Sequence, residues 1–207
     1  MSGCVKMTEL PASLGNLAAM QSFGLPSSIG TLPEFVRNFS QLTNLCGVLQ
    51  QIPDWIGELT QLRVLGLSGS AIIGLPASIG KLTRLEKLWL DYCQNLVTLP
   101  DTLGGLVLLQ EVHLSDSGIR SLPGSFGALR ALKSLNLFEC KNIRTLPDTL
   151  GGLRSLKELR LSTSGIAELP PSLGALGRVT CMTLRECYYL QTLPDVLPTA
   201  RVTDTRN

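Results

Sequence analysis

The chain has 207 residues, of which 42 are Leu and only ten are aromatic. With 44% hydrophobic and 16% charged residues, it has enough apolar side chains to exclude an intrinsically disordered protein. Its formal net charge of +2 comes from charged residues scattered singly along the sequence, which argues against nucleic acid or an anionic membrane as a partner. We therefore expect a folded chain in which one packing solution, built on Leu, is used many times.

A proline marker divides the chain into units of nearly constant length. Among the prolines that follow Leu or Ile, those at positions 11, 33, 53, 76, 100, 123, 147, 170 and 194 are spaced 20 to 24 residues apart. Behind the markers the apolar frame LxxLxxLxL recurs, most clearly at 59–67, 82–90 and 153–161. Leu at this spacing, in units of this length, is the signature of leucine-rich repeats.

Each unit predicts one short strand and one helical turn. The alternating segment from Leu65 to Leu67 predicts a strand with Leu on one face and variable residues on the other. Proline then ends the strand pairing, and the following Pro-x-x-Leu/Ile-Gly-x-Leu segment predicts a turn of α- or 3₁₀-helix with Pro at its first position. One unit cannot bury its own leucines, so the units must stack. We expect an α/β leucine-rich-repeat solenoid, a curved horseshoe with a parallel sheet on its concave face and short helical segments on its convex face.

The units also alternate in type along the chain. Units of 23 residues carry Ser in the turn after the strand and units of 24 residues carry Cys there, so equivalent positions lie 47 residues apart. We expect about nine repeats in a single domain, residues 1–197, followed by a polar C-terminal tail, residues 198–207. The unit from Pro33 to Pro53 is four residues short, which predicts an irregular sheet near residues 45–48. No polar capping repeat is evident at either end, so we expect a monomer or a fragment of a larger multidomain protein.

The Cys-containing repeats resemble the leucine-rich-repeat regions of plant intracellular immune receptors. Residues 135–151, LNLFECKNIRTLPDTLG, follow the repeat pattern of those receptors closely, and the resemblance extends over nearly the whole chain. It implies a region that recognises a protein in plant disease resistance and innate immunity. Similar repeats occur in plant Ras-group leucine-rich proteins and in bacterial effectors, and the sequence contains neither a nucleotide-binding GxxxxGK[ST] loop nor a ubiquitin-ligase module. A substrate-recruiting scaffold of an effector or a ubiquitin ligase, a Ras-group signalling scaffold and a purely structural spacer are the alternatives.

Few residues are suited to catalysis or to metal binding. Cys93, Cys140 and Cys187 recur two strands apart, or about 9 to 10 Å, which is too far for tetrahedral zinc or for a disulfide. We expect these thiols to donate to backbone carbonyls in the turn. His113 is the single His, and its strand lies about 14 Å from that of Cys181, while Ser115 lacks an evident orienting acid. We expect no catalytic residue, no metal and no cofactor.

Binding is the better use of the variable face of the sheet. Trp and Arg dominate binding hot spots, and a mixture of both charge signs fits a protein partner better than a polyanion. The predicted partner-binding residues of the concave face are Lys87, Trp89, Asp91, Glu111, His113, Asn136, Phe138, Glu158, Arg160 and Arg185. The band of Trp89, His113, Phe138 and Arg160 is expected to form the contact, and the alternative is a Trp89 that merely covers its neighbours.

The sequence also predicts a cellular compartment. No stretch approaches the roughly 18 consecutive apolar residues of a membrane span, and the first residues, MSGCVK, do not form a secretion signal. Six Cys in such a chain indicate free thiols in a reducing compartment. We therefore expect a cytoplasmic protein without a membrane partner.

Overall fold

The computed structural model describes residues 9–193 and 201–203, and there 3₁₀ helices alternate with three-residue strands. The helices are η1 Ala12–Asn16, η2 Glu34–Asn38, η3 Asp54–Glu58, η4 Ala77–Lys81, η5 Asp101–Gly105, η6 Gly124–Ala128, η7 Asp148–Gly152 and η8 Pro171–Ala175. The strands are β1 Ser22–Gly24, β2 Asn44–Cys46, β3 Val64–Gly66, β4 Lys87–Trp89, β5 Glu111–His113, β6 Ser134–Asn136, β7 Glu158–Arg160, β8 Cys181–Thr183 and β9 Arg201–Thr203. They form one parallel sheet in which the strand order is the chain order, as the predicted solenoid requires.

Each strand pairs in register with the strands of the neighbouring repeats. Leu65, Leu88 and Val112 occupy the centres of β3, β4 and β5, lie opposite one another and are fully buried. The residues on either side of these centres point to the opposite face of the sheet, because side chains alternate along a strand. The core is therefore a ladder of Leu, Ile and Val side chains between the sheet and the 3₁₀ helices.

The prolines lie one residue earlier than predicted. Pro100, for example, precedes η5 as its N-cap, with an extended backbone at φ −72° and ψ 148°, and its carbonyl accepts the Leu103 N–H at 3.0 Å. Pro suits this position because it has no N–H that would need a partner and its φ is already close to the helical value. Only before η8 do two prolines follow each other, with Pro170 as the N-cap and Pro171 as the first helical residue.

The sheet is regular at the short unit, where the sequence predicted irregularity. Strand β2 pairs residue for residue with β1 and with β3. The missing residues come out of the loop after the strand, since Leu45 is eight positions from Pro53 whereas Leu88 is twelve from Pro100. In the shortened loop the Leu49 N–H donates to Oγ of Ser70 at 2.9 Å. Neighbouring repeats thus impose the register of the strand and leave the loop length free.

The two ends of the sheet are built differently from its middle. At the N-terminal end Phe23, Phe35 and Phe39 pack edge to face, with ring centroids 5.3 to 6.3 Å apart. Such aromatic contacts fill the space beside the first repeats with few side chains. At the other end β9 pairs with β8, so the sheet extends into the segment 198–207, which the sequence analysis treats as a tail.

One glycine in each of the helices η3 to η7 permits successive 3₁₀ helices to approach closely. A Cβ on Gly127 would lie 2.0 Å from the carbonyl oxygen of Thr149, and a Cβ on Gly104 would lie 2.7 Å from that of Ser125. The Gly104-Gly105 and Gly151-Gly152 pairs therefore each contain a packing position of the repeat. Two backbones in contact leave no room for any side chain.

We expect Gly127→Ala to lower the free energy of unfolding by about 1 to 3 kcal/mol, because the new methyl group overlaps the backbone of the next repeat. Gly124→Ala, at the start of the same helix, is the matched control, since its Cβ would meet nothing within 4 Å. The control should change stability by no more than about 0.5 kcal/mol. Equal losses for both variants in urea unfolding would contradict this account of the packing.

Candidate recognition surface

The first and third residues of the strands, together with the second residue after each strand, form one solvent-facing surface, here called the sheet face. All ten residues predicted to bind a partner lie on or directly after β4 to β8 and belong to this surface. The structure divides them into two regions. In the region of β4 and β5 the side chains contact one another, whereas the region of β6 to β8 surrounds an open depression.

Side chains on β4 and β5 are paired across the strands. Nζ of Lys87 lies 2.9 Å from Oε1 of Glu111, and the rings of Trp89 and His113 stack with centroids 6.4 Å apart and planes inclined by 26°. On the other side of Trp89 a Cβ on Gly66 would lie 3.4 Å from Cε3 of the indole. Trp89 is consequently half-buried, and its Nε1 is a buried atom without a hydrogen-bond partner among the described residues. Its indole covers Gly66 and supports His113.

An acid lies beside the single histidine, although the sequence did not indicate one. Oδ2 of Asp91 is 3.9 Å from Nδ1 of His113, while its Oδ1 accepts the backbone N–H of Ser115 at 2.9 Å. Within the described part of the chain, no hydrogen bond joins His113 to Ser115 or to Cys181. Asp91, His113 and the backbone of Ser115 therefore form a polar cluster at the end of β5.

The open depression between β6 and β8 has a volume of about 590 Å³. Its lining consists of Phe138, Glu139, Glu158, Arg160, Ser162, Thr163, Cys181, Thr183, Arg185 and Glu186. Phe138 is exposed over 40% of its surface. The guanidinium of Arg185 makes no ion pair with a described residue, so both groups are available for contact.

Glu158 holds Arg160 in the floor of this depression. Its Oε1 accepts from Nε and Nη2 of Arg160 at 2.9 and 2.6 Å, and its Oε2 accepts from Oγ of Ser134 at 3.1 Å. Burial by itself raises the pKa of Glu158. The hydrogen bonds from Arg160 and Ser134, together with the electrostatic effects of Arg160 and His113, outweigh burial and leave this pKa below its ordinary value. The ionised carboxylate orients Arg160, whose side chain is still 50% exposed.

In six consecutive repeats, a residue after the strand has a left-handed backbone conformation. The sequence did not predict this conformation. These residues are Gly69, Tyr92, Asp116, Glu139, Thr163 and Glu186, with φ between 50° and 76°. The N–H of Tyr92, for instance, donates to the carbonyl of Ser115 in the next repeat at 2.7 Å. These turns direct the preceding residues, such as Asp91, Phe138 and Arg185, over the sheet face. Gly is the residue type that usually predicts such a conformation, and only Gly69 among the six is a Gly. The conformation of the other five could therefore not be predicted from their residue type.

The repeated cysteines donate to the backbone, as predicted. Sγ of Cys93, Cys140 and Cys187 lies 3.2, 3.0 and 3.1 Å from the carbonyl oxygens of Leu67, Leu114 and Leu161, respectively. Among residues 9–193 and 201–203, no group of His, Cys, Asp and Glu is arranged to hold a metal ion. The thiols are structural donors that tie each turn to the repeat before it.

A sequence profile of the family Leucine Rich Repeat matches residues 84–106, and solved structures of leucine-rich-repeat proteins superpose on most of the chain. The fold is a leucine-rich-repeat solenoid. The leucine-rich-repeat protein of Leptospira interrogans is 24% identical, with a TM-score of 0.68 over 96% of this chain. This chain spans 60% of the length of that protein. No curated protein sequence matches the chain.

Two further solved structures show the range of proteins with similar repeats. The leucine-rich-repeat domain of the type III effector XopL is 27% identical, with a TM-score of 0.70, and the match covers 92% of this chain and 79% of that domain. The ectodomain of the Arabidopsis thaliana receptor kinase GASSHO1/SCHENGEN3, solved in complex with CASPARIAN STRIP INTEGRITY FACTOR 2, is 24% identical, with a TM-score of 0.68. That match covers 85% of this chain and 25% of the ectodomain.

The leucine-rich-repeat fold points to a protein-interaction module. None of the helices in the described segments has the length and apolarity to cross a membrane.

We expect the stability contributed by Cys140 to depend on pH. Burial, above all, raises the pKa of this thiol from 9.0 to about 11. In the unfolded chain the thiol ionises near its ordinary pKa, so the stability from burying its neutral form is present below about pH 9 and is lost as the pH rises towards 11. Cys140→Ser, which keeps a small donor, should cost little at pH 7. The difference in unfolding free energy between parent and variant should then shift by about 1.4 kcal/mol per pH unit across this window.

Denaturant unfolding of both proteins at several pH values measures that difference. Cys93→Ser is the companion variant, because burial likewise raises the pKa of Cys93 to about 11. Parallel stability curves for the parent and both variants from pH 8 to pH 11 would refute the prediction.

Proposed function

We propose that the chain is a non-catalytic recognition module of the plant disease-resistance type, which binds a protein partner on the sheet face in the cytoplasm. The observation that supports this proposal is the open depression between β6 and β8. Phe138 and Arg185 are exposed there, and Glu158 orients Arg160 through hydrogen bonds. An aromatic ring and two guanidinium groups around one concavity are the residue types that contribute most to protein interfaces.

The neighbouring region of β4 and β5 supports this site without forming its centre. Lys87 and Glu111 neutralise each other, and Trp89 is half-buried between Gly66 and His113. Groups that already have partners gain little from a new one, because the existing contact must first be broken. The partner's main contact is therefore proposed on Phe138 and Arg185, beside the half-exposed Arg160 that Glu158 orients, and the paired residues of β4 and β5 form its rim.

The chemistry of the depression restricts the partner. Arg160 is committed to Glu158, whereas Arg185 is free of ion pairs within the described chain, so a carboxylate of the partner fits beside Arg185. An apolar side chain fits against the exposed ring of Phe138. Glu139 and Glu186 line the same depression and disfavour a polyanion. A protein segment with one acidic and one apolar residue meets these conditions.

A second candidate function follows from the comparison with XopL. Its leucine-rich-repeat domain shares 27% identity and matches over most of both chains. This likeness favours a substrate-recruiting scaffold of an effector as the alternative to an immune-receptor region. A substrate-recruiting scaffold of a ubiquitin ligase and a Ras-group scaffold are further alternatives. Each of them uses a protein-binding surface and differs in the domain that accompanies it. We propose that this chain works as a monomer or as part of a longer protein.

The double variant Phe138→Ala, Arg185→Ala should lose most of its partner binding. Loss of two hot-spot side chains, each worth about 1 kcal/mol or more, should weaken binding roughly thirtyfold. The measurement is affinity capture from plant-cell extract on the immobilised chain, with retained proteins quantified by mass spectrometry. A protein held by the parent should be lost with this variant.

The matched control is Tyr188→Ala, Arg120→Ala, which removes one exposed aromatic and one exposed Arg from the loops after the strands. It should retain the same protein as the parent does, and thermal unfolding should verify that both variants fold. Retention of every captured protein by the Phe138 and Arg185 variant would rule the proposed site out.

A further inference from the structure

Five cations gather on one edge of the sheet although they are scattered in the sequence. The turns that lead into β6, β7 and β8, residues 129–133, 153–157 and 176–180, contain no acidic residue. They carry Arg130, Lys133, Arg154, Lys157 and Arg178, all exposed, and this group is here called the basic edge. A period of about 24 residues puts positions that are distant in sequence directly beside one another.

Backbone hydrogen bonds place the members of this edge in adjacent rows. The N–H of Lys157 donates to the carbonyl of Lys133, and the N–H of Thr180 donates to the carbonyl of Lys157, both at 2.8 Å. Neighbouring strands lie about 4.8 Å apart, so the two Lys side chains start from adjacent positions. Like charges directly opposite each other destabilise a sheet, and this arrangement therefore has no structural benefit.

Earlier repeats of the same chain balance the charge at these positions. Arg63, which is equivalent to Lys133 and Lys157, lies 2.8 Å from Glu86 of the next repeat. In the basic edge Lys133 donates only to the neutral amide of Gln110, at 2.7 Å. Two acids lie near these cations in the sequence: Glu158, next to Lys157, and Glu111, next to the Gln110 that Lys133 contacts. Both acids already form ion pairs on the sheet face. Within the described part of the chain, none of the five cations pairs with a carboxylate.

We infer that the basic edge binds an acidic segment of a protein partner. Three repeats span about 10 Å, which matches three or four residues of an extended peptide at about 3.3 Å per residue. A peptide with carboxylates along this length can contact Lys133, Lys157 and Arg178 in turn. This surface lies beside the sheet face and uses none of the residues of the proposed recognition site, so it is a second interaction surface.

A nucleic acid fits the basic edge less well. Proteins that bind single strands combine cations with aromatic side chains on which the bases stack. The turns 129–133, 153–157 and 176–180 contain no aromatic residue. The formal net charge of the whole chain is only +2, so the attraction is confined to this edge. A short acidic peptide needs only local charge complementarity.

Fluorescence anisotropy with a labelled peptide of four consecutive Glu residues flanked by Gly tests this inference at low salt. The variant Arg154→Gln, Lys157→Gln removes two charges of the basic edge, and we expect it to bind at least about fivefold more weakly than the parent. The control Lys81→Gln, Arg84→Gln removes two exposed cations from earlier repeats and thus the same net charge. It should bind within about twofold of the parent.

Three results would overturn the inference. They are the absence of peptide binding to the parent, equal weakening by both double variants, and tighter binding of an oligothymidylate of equal charge than of the peptide. The variant Phe138→Ala, Arg185→Ala separates the two proposals, because it should bind the Glu peptide as the parent does. Loss of the peptide in that variant would be a fourth result against the inference, because it would assign the peptide to the sheet face. Normal peptide binding without partner capture would overturn only the proposed recognition site and support the basic edge.

Discussion

Each repeat of this solenoid buries its apolar side chains only against the repeats on either side, and the rest of the structure depends on that constraint. Leu65, Leu88 and Val112 are fully buried because they lie opposite one another. The same contact explains why strand register is kept at the short unit while its loop loses residues, and why Gly127 faces a backbone carbonyl. Because stacking is satisfied by the ladder residues alone, the outward side chains are free to serve another purpose.

Much of the fold could be predicted from the spacing of Leu and Pro, since both record the length of the repeat. That spacing does not reveal which segment absorbs a deletion, and so the strand Asn44–Cys46 was predicted to be irregular although it pairs normally. The alternation of residues placed the ten candidate side chains on one face. It could not show that Lys87 pairs with Glu111 or that Trp89 lies over Gly66, because these contacts join side chains more than 20 residues apart. The left-handed turns were missed because five of the six contain no Gly.

The outward surface is accordingly uneven in its chemistry. Around Trp89 the side chains contact one another, whereas around Phe138 and Arg185 they surround an open depression. The cations of the basic edge differ again, because stacking of the repeats brings them together without acids. The residues that we propose for function are therefore ones that the Leu ladder does not need. The repeated Cys donors contact the backbone of the turns.

Site-specific photo-cross-linking tests the central claim, that packing and recognition occupy opposite faces of one sheet, most directly. A benzophenone side chain would be placed at Phe138 in one protein and at Tyr188, in the loop after β8, in another, and each would be irradiated in plant-cell extract. Our account predicts a discrete cross-linked protein from position 138 and none of that species from position 188. The same cross-linked species from both positions, or from position 188 alone, would contradict the assignment of recognition to the sheet face.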